Sequence, residues 1–514
     1  MTTSVKQSFS WLILLSSAGY LISFASQFLI SYHFGNSLDL DAYWAAFAMT
    51  NILIFFMPPV RDALAPELHR RLSVDKKAAG EYLSQVITGL LIITGIVSIL
   101  TFFYADRLVS FVVSSSQPEM RTRAALYLQL FIPALALLAL FEIFNAVLTC
   151  YNKVVLHAAS RLIGAIALLA VIFLLAGKMG VTALPIAFIL SQLLTVAIQA
   201  AALFRQGIRL RLMWFRDADS RFFMVSGVLM VTAAVAQIYT AVEKQVFSSF
   251  GAGIVSSFQY ATLLTNVAIT LIGSALASAF WPKFLDQVSA NNRGELLGSV
   301  FRSLHVLMLI LGWITVMCFI NARPVIQLLF ERGAFGPEAV ALTSYALKTT
   351  IFAAVPIAVI TLIGRALVSL NSIRAMAVVS FSITLVGLMT LFVGKMAGSI
   401  QISMLHWFIA NTVGCVASIW LIYCMCGGAR GDLWSFISWC ARLSAALLAA
   451  AALSDLCSQY VHITNILGAL ISNCLIFTFL LAIFVYFFRV HTVLGGIFAS
   501  VKEKSRLLTK GFMK

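Results

Sequence analysis

The stretch TAVEKQVFSSFGAGIVSSFQYATLLTN, residues 240–266, sets Glu243 beside Lys244 in an apolar run and then turns at Gly251. A second stretch, FLISYHFGNSLDLDAYWAAFAMTN at residues 28–51, repeats its order of features. In both, an aromatic-Gly pair leads into a short polar turn, then an aromatic helix start, then Thr-Asn. The pattern reads as one turn used twice, by a chain built of two like halves.

The flanking sequence shows where such a turn can sit. Of 514 residues, 61% are hydrophobic and only 11% are charged, and mean hydropathy is +0.98. Soluble domains carry roughly 25% charged residues. Apolar runs of about 20 residues recur along the chain, each long enough to cross a ~30 Å hydrocarbon core. The fold expected is an all-α polytopic membrane protein with no sizeable soluble domain. About fourteen spans are expected, near 11–33, 42–59, 86–105, 124–150, 161–177, 180–203, 222–245, 254–281, 303–321, 340–369, 375–395, 401–426, 434–456 and 464–488. The first run lacks a small-residue cleavage site and reads as a retained helix rather than a signal peptide.

Basic residues orient these spans. With the N-terminus inside, the inner segments include VRDALAPELHRRLSVDKKAAGE (60–81), RQGIRLRLMWFRDADSR (205–221), PKFLDQVSANNRGELL (282–297) and VKEKSRLLTKGFMK (501–514). Inner segments hold about 25 of the 35 Lys and Arg, outer ones about 8. Both termini are therefore expected in the cytoplasm. The net charge of +16 follows from the same bias and does not point to nucleic acid.

The repeat divides the chain into an N-lobe at 1–220 (spans one to six), a C-lobe at 221–430 (spans seven to twelve), two extra helices at 431–490 and a basic tail at 491–514. Lobes of six spans enter from the same side. They should be related by a pseudo-two-fold along the membrane normal, with a cavity where they meet.

No G-x-x-x-x-G-K-[ST] loop or H-E-x-x-H helix is present, so neither ATP hydrolysis nor zinc proteolysis is expected. The eight cysteines make no metal pattern: Cys424 and Cys426 are separated by a single residue. No catalytic residue, metal or cofactor is expected, and a transporter fits better than an enzyme.

Charged and polar residues within spans are the candidate cavity lining, because a charge at mid-membrane costs about 2.5–3.5 kcal/mol and needs a purpose or a partner. Glu142 lies about two turns from the inner end of span four, and Lys348 about two turns from the outer end of span ten. Glu243 and Lys244 fall near the outer mouth of span seven. As helix neighbours they differ by about 100° and should seek separate partners or water. Arg365, near the inner end of span ten and close to Arg374, suits interfacial anchoring. Gln27, Gln259 and Asn266 complete the polar set; helix–helix hydrogen bonding is the simpler role for such side chains.

Four stretches carry a family likeness. PVIQLLFERGAFGPEA (324–339), VEKQVFSSFGAGIVSSFQYATLL (242–264), FGNSLDLDAYWAAF (34–47) and LTCYNKVVLHA (148–158) resemble, in order, segments of the MurJ (MviN-like) flippases. Asp41 falls at that family's acidic position and is counted with the candidate cavity lining. The resemblance covers most of the first twelve spans. It implies the two-lobe fold of the multidrug/oligosaccharidyl-lipid/polysaccharide exporter superfamily. It also implies transport of an undecaprenyl-diphosphate-linked saccharide from the inner to the outer leaflet of the bacterial cytoplasmic membrane. Spans thirteen and fourteen would cradle the lipid tail, and glycan-synthesis enzymes are candidate partners.

The departures are specific. Where those flippases line the cavity with arginines, this chain has residues near Tyr20, Ser26 and Ile54, and Leu263 in span eight. Ala375-Met376 replaces the Thr-Pro after span ten. The favoured reading is a flippase for another lipid-linked glycan, such as an exopolysaccharide or capsule unit. The alternatives are a true lipid II flippase using Lys244, Lys348 or Arg365 for positive charge, a cation-coupled exporter of small molecules, and a degenerate flippase acting as a membrane scaffold.

Overall fold

The computed structural model describes residues 3–490 except 73, 152, 207–210, 215–219 and 461–465. The basic tail at 491–514 lies outside the described residues. Every regular element among those described is a helix: α1 (Thr3–Phe34), α2 (Leu38–Leu53), α3 (Met57–Leu72), α4 (Lys76–Val109), α5 (Pro118–Leu130), α6 (Ile132–Cys150), α7 (Val154–Met179), α8 (Ala183–Arg205), α9 (Ser220–Ser248), α10 (Ile254–Ala268), α11 (Ala275–Ser289), α12 (Arg293–Ile320), α13 (Ala322–Phe330), α14 (Pro337–Thr350), α15 (Ala354–Ser369), α16 (Ile373–Met396), α17 (Ile400–Met404), α18 (His406–Cys426), α19 (Arg430–Tyr460) and α20 (Ile466–Phe487). In hydrocarbon each backbone N–H and C=O must be satisfied within its own segment, and the helix does this residue by residue.

Twelve stretches among the described residues are long and apolar enough to span a membrane. One of them, Val154–Arg205, holds two helices, α7 and α8, joined through a turn at Gly180. The helix α9 is long and apolar as well. The protein is thus a multi-span membrane protein whose helices are consistent with fourteen crossings.

Several spans are broken, and proline explains where. Between α2 and α3 the helix opens at Ile54, just before Met57-Pro58-Pro59. Neither proline has an N–H to return to the preceding turn. The chain then continues as α3 through Leu72, so Arg61 stands on a helix and not in a loop. The expected fourth span divides in the same way into α5 and α6 ahead of Pro133, and the tenth into α14 and α15 ahead of Pro356. Between α10 and α11 lies a π-helical turn, Ile269–Ser274. There a Cβ on Gly273 would come within 2.7 Å of the Ala358 methyl, so glycine lets α15 approach the widened turn.

The chain forms two compact units. The first comprises Met1–Ser256 with Phe330–Ala339. Its core is the apolar cluster around Met57, Leu64, Tyr82, Leu135, Ile143 and Val147, shared by α3, α4 and α6. In membranes such contacts rest on close packing and interhelical hydrogen bonds rather than on expulsion of water. At the α7–α8 contact, Ser191 donates to the Gly164 carbonyl at 2.8 Å, and any Cβ at position 164 would collide with Thr195 Oγ1. The FERGAFG segment belongs to this unit. Ala334 N–H donates to the Tyr32 carbonyl at 2.8 Å, and Gly35 (φ +58°) and Gly333 (φ +59°) supply the left-handed backbone at that crossing. Placed at the start of the second lobe by the sequence reading, α9 packs against α2 and α3 in this first unit.

The second unit comprises Ser257–Leu329 and Val340–Lys514. Phe284, Leu296, Val300, Leu304, Leu362 and Ile422 form its main core, among α11, α12, α15 and α18. The last two helices pack on each other and on α12 through Met317, Ala446, Ala450 and Phe477. Trp313 Nε1 donates to Thr478 at 3.1 Å and Asn473 Nδ2 to Asn321 at 2.9 Å, holding α20 in register.

Candidate functional site

Glu142 sits two turns from the end of α6, where the sequence placed it, and finds a partner 81 residues away in the chain. Arg61 Nη1 of α3 reaches its Oε2 at 2.7 Å while Arg61 Nε holds Asp62 Oδ1 at 2.8 Å. The two side chains are 31% and 21% exposed, so the pair is neither sealed nor fully wet. A polar seam adjoins it. The Phe141 and His157 rings pack at a tilt with centroids 5.4 Å apart, and Gln199 Nε2 donates to Ser160 Oγ at 2.9 Å and lies 3.2 Å from His157 Nδ1. Arg61 was not among the expected site residues. The signal for it was Pro58-Pro59, which starts a new helix, so that Arg61 falls in the second turn of a span.

Glu243 and Lys244 lie 3.4 Å apart in an ion pair with each other, in addition to other interactions of each. Long side chains let helix neighbours meet when burial rewards it, and both residues are buried, at 8% and 6% exposure. They do not snorkel. Lys348 is exposed on α14, with its ammonium 5.6 Å from the Phe319 ring centroid, a cation–π distance. The Arg365 guanidinium lies 4.6 Å from the Trp281 ring centroid. On α1 Gln27 is half-buried, on α10 Gln259 is half-buried with its backbone carbonyl accepting from Thr262 Oγ1 at 3.0 Å, and Asn266 is exposed just before the π-helical turn.

Asp41 differs from the rest. It is fully buried, and its oxygens accept from the backbone N–H of Gly253 at 2.6 Å and of Ser256 at 2.7 Å. This is a helix cap supplied from elsewhere in the chain: the first N–H groups of α10 have no partner in their own helix, and Asp41 provides it. With no exposed surface it has no face to offer a solute, which corrects its place in the cavity lining. Two residues earlier, Asp39 is half-buried and reaches partners outside its own turn. It accepts from Tyr127 Oη at 2.7 Å and pairs with Arg123 at 3.1 Å.

The model of the family described as lipid II flippase MurJ matches residues 30–479. The chain belongs to the MurJ lipid II flippase family. Among solved structures, a MurJ lipid II flippase in an inward closed conformation is similar at TM-score 0.76 and 19% identity, over 92% of this chain and 99% of that one. An inward-facing multidrug-resistance MATE family transporter of the MOP superfamily is similar at TM-score 0.66 and 13% identity, over 80% and 94%. A mutant of the Vibrio cholerae MATE transporter VcmN is similar at TM-score 0.58 and 15% identity, over 82% and 97%. These likenesses establish the fold. Comparison with curated protein sequences finds no significant match.

Within this MurJ family fold, the positions where the resemblance places cavity arginines have their own surroundings here. Tyr20 is exposed, Ser26 is buried and bonds its own helix at Ile22, and Ile54 packs in the core of the first unit. An arginine at 54 would have to displace that core.

Proposed function

We propose that this protein is a flippase that moves an undecaprenyl-diphosphate-linked oligosaccharide, an exopolysaccharide or capsule unit, from the inner to the outer leaflet by alternating access. A diphosphate-sugar headgroup is too polar to cross hydrocarbon unaided and needs a lined route. Membership of the MurJ family supports a lipid-linked saccharide as cargo. The observation that carries the choice of a glycan other than lipid II is the packing of Ile54, which leaves that family arginine position without room for a cation.

The charges that remain are differently disposed. Arg61 is shared between two carboxylates, and release of Glu142 would free one edge of its guanidinium for a phosphate oxygen. Lys348, the Glu243–Lys244 pair, Gln27, Gln259 and Asn266 are the further headgroup contacts in this reading. The two C-terminal helices would carry the lipid tail, both termini would face the cytoplasm of a bacterial cell, and glycan-synthesis enzymes would be the working partners.

The test is deletion followed by mass analysis of accumulated lipid-linked intermediates. It is paired with complementation by Glu142→Gln, Lys348→Gln and the double variant at matched abundance in the membrane. Accumulation of a non-peptidoglycan intermediate, uncorrected by the double variant, is the expected result. Accumulation of lipid II would assign the peptidoglycan cargo instead. Full complementation by every variant would point to a scaffold and overturn transport through these charges.

A further inference from the structure

Arg365 stands inside a membrane span with its cationic fork unused. Among the described residues its guanidinium makes no hydrogen bond and no ion pair, and its one partner is the face of Trp281. The indole Nε1–H of Trp281 is itself buried without an acceptor. A guanidinium carries five N–H donors in a planar fork suited to carboxylate or phosphate. Two neighbouring side chains thus present donors for which the described residues supply no acceptor.

Arg365 also lines a cavity of about 330 Å³ within the second unit. Ile360, Gly364 and Val368 of α15, Met376 and Val379 of α16 and Ser418 of α18 form most of its wall, which is largely apolar. At its edge Val368 and Met376 are exposed, as apolar side chains facing acyl chains are. Arg374, in the first turn of α16, is exposed and adds positive charge at the same end of the α15–α16 pair. One cation and one apolar hollow, both within a span, complement the two parts of a single molecule: an anionic phosphate and the hydrocarbon attached to it. Basic pockets between membrane helices bind lipid headgroups for this reason.

We infer that the hollow between α15, α16 and α18 is a binding site for an anionic phospholipid, with its phosphate on Arg365 and an acyl chain along Val368 and Met376. The site lies within one unit and does not depend on what the protein transports.

The experiment uses the full chain in nanodiscs of equimolar phosphatidylglycerol and phosphatidylethanolamine, released for native mass spectrometry. Phosphatidylglycerol should be retained in preference to phosphatidylethanolamine. Arg365→Met should lower that retention about tenfold, the loss expected when one charge-assisted hydrogen bond to phosphate is removed. Trp281→Phe keeps the ring and should lower it less. Val368→Trp fills the hollow, leaves Arg365 in place and should abolish retention, so the site can still be tested if Arg365→Met fails to insert. Equal retention of the two lipids, or retention unchanged in Val368→Trp, overturns the inference. Displacement of phosphatidylglycerol by undecaprenyl phosphate at trace amounts would reassign the hollow to a polyprenyl lipid and also overturn it.

Discussion

Replacing Asp41 by Asn keeps the shape of the side chain and changes one acceptor into a donor. Both carboxyl oxygens now accept from backbone N–H groups, those of Gly253 and Ser256, at 2.6 and 2.7 Å in a fully buried setting. An amide can serve one of them. Its NH₂ must then face the other N–H, donor against donor, with no water to take up either. Losing a hydrogen bond costs about 0.5–1.5 kcal/mol and stranding a buried donor about 1–3 kcal/mol, so Asp41→Asn should cost about 2–4 kcal/mol. Asp39→Asn is the internal control. Its amide oxygen can still accept from Tyr127, and its partner Arg123 is 45% exposed, so the loss should stay under about 1 kcal/mol. Reversible unfolding in mixed detergent micelles measures both. Asp41→Asn within about 0.5 kcal/mol of the parent, or no worse than Asp39→Asn, would show that Asp41 does not cap α10 and would return it to the cavity lining.

Three further outcomes can be checked. In a double-mutant cycle, Arg61→Gln and Glu142→Gln should couple by about 1.5–3 kcal/mol in the same unfolding assay, the range for a hydrogen bond to a charged group. Additivity would place the two side chains apart. Gly164→Leu should abolish the α7–α8 contact, because Thr195 Oγ1 and the Ser191 backbone occupy the space. The full chain should then be recovered poorly from the membrane, while Gly89→Leu, at a site with open space, should be recovered at parental levels. Asn473→Leu removes the bond to Asn321 between α20 and α12. Such interhelical bonds average about 0.6 kcal/mol, so it should cost less than about 2 kcal/mol in the same unfolding assay.

Glu142 and Asp41 show how far the sequence reached into the site. For Glu142 the position along its helix was legible, because that is a count of residues from the helix end. Its partner was not, since Arg61 reaches it across 81 positions from a helix that appeared to end before it. Asp41 was legible as an acid beside a turn, but its fate depended on two N–H groups more than two hundred residues away. Asp39 and Asp41 are alike in residue type and neighbourhood, yet one is half-buried in an ion pair and the other is sealed. The Glu243–Lys244 pair was found at once as a pair of charges, and its mutual contact required knowing that both would be buried.

From the sequence alone came the helical class, the membrane as solvent, the approximate spans, the repeated turn and the family likeness. These are local properties: hydropathy over about 20 residues decides whether a segment enters hydrocarbon, and the helix then satisfies its own backbone. Tertiary structure decided which charges meet, which are sealed and which are left with unused donors. Glu142 with Arg61, Asp41 with the start of α10, and Arg365 against Trp281 are contacts between distant segments. No periodicity records them, because each depends on the angle and depth at which two helices cross.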